Sequence, residues 1–168
     1  MYISCGGICD KCVTLLAADL SKNNTVTLIC LSYNDFGNEG AKSLATVLHT
    51  NTTLTTIYIG DNNIYNEWGT VLATALHTNS SIIVIDPNSN NIGNELLAAE
   101  LAKNDTATET SLYINDISDE GENTLAAVLC TNSALTLIDL RNDRISNKRG
   151  GDTSNNVWFE RYTYNNGP

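Results

Sequence analysis

The chain has 168 residues and a formal net charge of −10, with 17% charged and 42% apolar side chains. That apolar share excludes global disorder, and the acidic balance argues against nucleic acid as the main partner, because phosphate binding rests on a basic surface. No apolar run approaches the ~20 residues of a membrane-spanning helix, and the start MYISCGGICDKC lacks the basic and apolar regions of a signal peptide. A soluble cytoplasmic protein is expected. Asparagine supplies 23 of the 168 residues, an excess that asks for a structural cause.

In chain order, a half unit comes first. Ile3, Leu16, Leu20 and Asn23 stand where the next unit has Leu31, Leu44, Leu48 and Asn51. Full units begin at Val26, Leu54, Ile82, Ala107 and Leu135, at spacings of 28, 28, 25 and 28. Each opens apolar-x-x-apolar-x-apolar-x-x-Asn, as in Val26, Ile29, Leu31 and Asn34. The alternation at its centre predicts a short strand with one buried face. Each closes with helical spacing, as in Leu44, Ala45 and Leu48. Between the halves, Gly37 to Gly40 and Ser118 to Gly121 predict a helix N-terminus with its own cap and acids in the first turn. The array covers residues 1–145 (half repeat 1–25, then the units starting at 26, 54, 82, 107 and 135), and 146–168 forms a non-repeat tail or cap.

This pattern resembles the leucine-rich repeat in its ribonuclease-inhibitor-like class. The resemblance implies an α/β fold: a right-handed solenoid in a horseshoe arc, strands concave and helices convex. Strands pack ~4.8 Å apart and helices ~10 Å apart, so stacking both bends the array. It also implies a protein-protein interaction module, not an enzyme, with no cofactor. Similar proteins include intracellular inhibitors, immune-receptor segments and bacterial effectors delivered into a host cytoplasm. The alternatives are regulation of a small GTPase, as by the similar Ran GTPase-activating protein, and end-to-end solenoid stacking. The partner expected is another protein.

Asn34, Asn62, Asn90 and Asn115, with Asp143 in the last unit, share one position at the strand end. There an amide can bridge unpaired backbone groups of adjacent coils. Asn23, Asn51, Asn79, Asn104 and Asn132 mark helix ends, where asparagine tolerates the left-handed conformation. Pro87, at the position of Leu31 and Ile59, removes a ladder donor, and the same unit has lost three residues from its helix. A weaker seam is expected there. Trp68 stands where a neighbouring unit has Gly40; it either packs over the helix start or is an exposed partner anchor.

Cys5, Cys9 and Cys12 have the spacing of an iron–sulfur or zinc site, but the repeat assigns Cys9 and Cys12 to the positions of Gly37 and Gly40. No metal is expected, and five scattered cysteines suit a reducing compartment. His49 and His77 share a helix-end position, where a protonated imidazole suits the dipole.

Residues flanking the core positions of each strand face the concave side. The expected binding set is Tyr33, Tyr58, Asp61, Asp86, Glu109, Tyr113, Asp139 and Arg141. Tyrosines with an excess of carboxylates suit a basic partner. In the tail, Trp158, Phe159, Tyr162 and Tyr164 are candidates for folding back over the open end, which a repeat array must cover.

Overall fold

The repeat spacing becomes the register of a sheet. In a computed structural model, which describes residues 1–3, 6–92, 101, 103–141 and 158–160, five three-residue strands run parallel. They are β1 (Leu28–Cys30), β2 (Thr56–Tyr58), β3 (Val84–Asp86), β4 (Glu109–Ser111) and β5 (Leu137–Asp139). Leu28 pairs with Thr56, Thr56 with Val84, Val84 with Glu109, and Glu109 with Leu137. Tyr2 bridges Cys30 in the same sense, so the half unit joins the ladder. β6 (Trp158–Glu160) pairs antiparallel with β5 at its outer edge.

The helix α1 (Asp10–Leu20) follows the Tyr2 bridge of the half unit, and α2 (Asn38–Thr50), α3 (Asn66–Thr78) and α4 (Asp119–Thr131) follow β1, β2 and β4. Between helices and sheet lies one continuous core. The middle strand residues Ile29, Ile57, Ile85, Thr110 and Ile138 point into it and are at most 3% exposed. Leu44, Leu48, Leu72, Leu76 and Leu125 meet them from the helices. Burial of each such aliphatic side chain contributes about 1.5–3 kcal/mol. Trp68 belongs to this core: it is fully buried, and its indole N–H donates to the Ala41 carbonyl of the preceding coil at 3.0 Å. It is no exposed anchor.

Three ladders of polar side chains tie the coils together. At the strand ends, Asn34 donates to the carbonyls of Ile3, Leu31 and Ser32 and accepts from the N–H groups of Gly6 and Ile8. Asn62, Asn90 and Asn115 reach back the same way to Leu31, Ile59 and Pro87. Asp143, expected to end this ladder, lies outside the described residues. At the helix ends, Asn51, Asn79, Asn104 and Asn132 each donate to two carbonyls of the preceding coil and accept two N–H groups of their own turn.

The left-handed expectation for this second ladder fails. Asn51, Asn79 and Asn132 are extended, with ψ of 126°, 129° and 125°. Asparagine is placed there by its side-chain bonding.

The third ladder replaces the expected local caps. No described helix is capped by the side chain at its own N-cap. Instead Asp10 accepts the N–H groups of Gly37 and Gly40, one coil on, at 2.7 and 2.8 Å. Asn38 likewise accepts the N–H of Tyr65 at 2.8 Å. A carboxylate at those free N–H groups also suits the positive end of the dipole. Gly40 is required by this arrangement, because a Cβ there would lie 2.9 Å from Asp10 Oδ1 and 3.1 Å from Val13 Cβ.

Pro87 interrupts the backbone ladder as expected. The N–H groups of Leu31, Ile59 and Leu112, at the same repeat position, donate to Tyr58, Asp86 and Asp139. Proline has no N–H to give, and β3 and β4 pair at two residues where the other parallel pairs hold three. The shortened helix of that unit lies largely outside the described residues.

Candidate functional site: the open face of the sheet

Because the middle residue of each strand turns inward, its two neighbours turn outward, and the parallel register lines them into rows. One row is Cys30, Tyr58 and Asp86, continued across the interrupted ladder by Ser111, whose hydroxyl bonds Asp86, and by Asp139. The row on the far side of the core position is Leu28, Thr56, Val84, Glu109 and Leu137. Neighbouring positions in a row are ~4.8 Å apart. Tyr58 therefore borders Asp86, and Ser111 alone separates Asp86 from Asp139.

Asp139 is matched. Its carboxylate accepts from Nε and Nη2 of Arg141 at 2.8 and 2.6 Å, a two-point pair. Burial pushes this carboxyl up, but the hydrogen bonds and charge of Arg141 outweigh it and hold the pKa below the ordinary value. The guanidinium carbon lies 5.5 Å from the centre of the Tyr113 ring, within cation–π range. Tyr113, Arg141 and Asp139 thus form one cluster over β4 and β5.

Among the described residues, no cation pairs with Asp86. Burial pushes its carboxyl above the ordinary value, and the Asp139 charge adds to that push. The backbone N–H and side-chain amide of Asn88, at 3.2 and 2.6 Å from Oδ1, and the Ser111 hydroxyl work against it without prevailing. Asn88 in turn lies over Gly60, where a Cβ would come within 2.4 Å of its Oδ1. Gly60 leaves the room in which Asn88 braces Asp86.

At the exit of the strands, Tyr33, Asp61, Ser89 and Ile114 hold φ of 60°, 53°, 50° and 50°. This left-handed conformation costs a non-glycine residue roughly 1–2 kcal/mol. The surroundings impose it. Each residue's N–H still donates to the next coil, at Gly60, Asn88, Tyr113 and Arg141, while the chain turns so that the following asparagine points inward. Tyr33 and Ile114 are consequently lifted out, 61% and 42% exposed. A β-branched residue suits this conformation least. Ile114→Asn is therefore expected to raise stability by about 0.5–1 kcal/mol in thermal unfolding, with Ile83→Asn, at an equally exposed site of negative φ, giving no gain.

The structure thus brings Tyr58, Asp86, Asp139, Tyr113 and Arg141 together. Glu109 is exposed in the far row, and Tyr33 and Asp61 stand at the rim. Sequence reasoning missed the bracing of Asp86 by Asn88 and Ser111; the small Gly60 opposite Asn88 was the available signal. Away from this face, a cleft of about 690 Å³ lined by Asn38, Tyr65, Asn66, Glu67, Asn91 and Asp116 opens along the helix starts. His49 Nδ1 meets the Thr78 hydroxyl at 2.8 Å on the helical side. Among the described residues, no three His, Cys, Asp or Glu side chains converge as metal ligands, and no helix is long and apolar enough to cross a membrane.

No protein-family model matches the sequence, and no curated protein matches it. Among solved structures, the chain is similar to actin-binding site 2 of leiomodin-1, with a TM-score of 0.62 at 18% identity over 78% of this chain and 79% of that one. It is also similar to an internalin from Listeria monocytogenes, with a TM-score of 0.45 at 17% identity, covering 88% of this chain and 49% of the internalin. The likeness to the leiomodin fragment shows a leucine-rich-repeat fold.

Proposed function

We propose that the chain is a protein-interaction module of the ribonuclease-inhibitor-like class, curved with its strands on the concave side, and that this side takes a basic segment of a partner protein. The observation that carries the reading is Asp86. A scaffold needing only a polar residue there would be served by asparagine, whereas this one keeps a half-buried carboxylate against its own desolvation. A lysine or arginine seated between Tyr58 and Asp86 would relieve that cost, with Asp61 and Glu109 steering its approach. Asp139 contributes less, because Arg141 already occupies it. The leiomodin-1 fragment, named as an actin-binding site, is compatible with use of this fold for binding protein.

The test is an array of lysine- and arginine-rich peptides beside neutral and acidic ones, read by interferometry at several salt concentrations. Wild-type protein is expected to select basic peptides. The triple variant Tyr58→Ala, Asp61→Lys, Glu109→Lys should weaken them by about tenfold to a hundredfold and flatten the salt dependence. Unchanged affinity dismisses this face. A second reading, assembly through the first coil, draws on Tyr2 and Leu15, which are 73% and 64% exposed. Light scattering that rises with concentration in the absence of peptide would favour it.

A further inference from the structure

Cys9 and Cys12 lie on the first coil, away from the sheet face, and the repeat gives them no structural duty. Both thiols are exposed and free, and their sulfur atoms are 3.8 Å apart. Cys9 is the N-cap of α1, extended at φ −93° and ψ 171°, and its carbonyl accepts the N–H groups of Cys12 and Val13. The two side chains thus leave the same side of one helical turn, at a separation that a small rotation about each Cα–Cβ bond converts to a bond. The equivalent positions hold Gly37 and Gly40 in the next unit, Tyr65 and Trp68 in the one after, and Ser118 and Gly121 further on, with no second cysteine pair among them.

We propose that Cys9 and Cys12 are a dithiol site that exchanges with low-molecular-weight disulfides, Cys9 attacking and Cys12 resolving. The Cys9 thiol loses its proton to solvent, and the thiolate attacks one sulfur of the small disulfide. A mixed disulfide forms at Cys9, and the departing thiolate takes up a proton. Cys12 then loses its proton and attacks Cys9 Sγ, forming the Cys9–Cys12 bond and releasing the second small thiol. The protein dithiol is oxidised by two electrons, and the small disulfide is reduced to two thiols.

The roles follow from position. The Cys12 N–H, then the Cys12 thiol and the Lys11 N–H, hold the Cys9 pKa below the ordinary thiol value, which raises the thiolate fraction available for attack. The Asp10 carboxylate between the two cysteines is turned away to Gly37 and Gly40. Cys130 provides an internal comparison. It is also exposed and free, but sits in the last turn of α4, where no free helix N–H faces it.

The experiment incubates the full chain with glutathione buffers of graded oxidation, traps remaining thiols by alkylation, and maps the products by mass spectrometry. Wild-type protein should lose two hydrogens and yield a Cys9–Cys12 linked peptide. Cys12→Ser should stop at a glutathione adduct on Cys9, formed at least about tenfold faster than on Cys130. Cys9→Ser should give an adduct on Cys12 at no more than the Cys130 rate. Circular dichroism confirms that both variants fold. Equal rates at Cys9 and Cys130, or a bond from Cys9 to Cys5 in preference to Cys12, would overturn the proposal.

Discussion

Replacing Asn79 by alanine is expected to lower stability by about 3–4 kcal/mol, read as a fall in the urea midpoint at unchanged slope. The side chain holds four backbone groups at once. Its amide donates to the carbonyls of Leu48 and Asn51, and its Oδ1 accepts from Ser81 and Ile82. Asn79 is 7% exposed, so water cannot take its place freely. Each buried group left unpaired costs roughly 1–3 kcal/mol, and the fold as a whole holds about 5–15. Asn79→Asp separates the two halves of the role, since it keeps an acceptor and loses both donors. Asn62→Ala should cost less, because Asn62 Oδ1 accepts no hydrogen bond. If Asn79→Ala and Asn62→Ala were equally mild, the coils would be held by their apolar core alone.

The periodicity was legible because of how parallel strands pair. Equal positions of successive coils face each other, so spacings of 28, 28, 25 and 28 in sequence are also the sheet register. The inward residues and the strand-end asparagines followed from the same arithmetic. What escaped is what one coil does to the next. Asn38 reads as part of its own helix start, whereas Asp10 and Asn38 take their partners, Gly37, Gly40 and Tyr65, from the next coil. The repeat positions 10, 38, 66, 94 and 119, each Asp or Asn, carried that signal.

The left-handed residues escaped for a different reason. Tyr33, Asp61, Ser89 and Ile114 have nothing in common chemically, because a backbone bond to the neighbouring coil sets their φ. On the open face the sequence supplied the residue set but not its internal pairing. Arg141 reads as one cation among four acids; in three dimensions it belongs to Asp139, and the acids available to a partner reduce to Asp61, Asp86 and Glu109. Reversing the charge of Asp139 would therefore disturb the scaffold along with the surface.

Asp86→Asn is expected to move stability and binding in opposite directions. The folded pKa of Asp86 is raised, so between the ordinary carboxylate pKa and that higher value the folded state binds more protons than the unfolded chain. Stability falls as pH rises through this window, and the penalty is fully present at neutral pH. Asparagine removes the charge and keeps an Oδ1 for the Asn88 N–H, so the variant should be at least as stable as wild type at pH 7. The difference should vanish below the ordinary carboxylate pKa. Binding of a basic peptide should nevertheless weaken about tenfold or more, and wild-type affinity should fall on acidification as Asp86 takes up its proton.

Asp139→Asn supplies the contrast. The Asp139 pKa is lowered in the fold, so its contribution is present above the ordinary carboxylate pKa and is lost as pH falls through the folded value. Neutralising it should lower stability at pH 7, with little effect on peptide affinity. Loss of stability in Asp86→Asn would instead make Asp86 part of the scaffold and remove the main support for a basic partner. Two carboxylates flanking one serine are thus distinguished by their neighbours. Asp139 has a guanidinium from its own chain, whereas among the described ion pairs none reaches Asp86. A partner's cation would complete for Asp86 what Arg141 already does for Asp139.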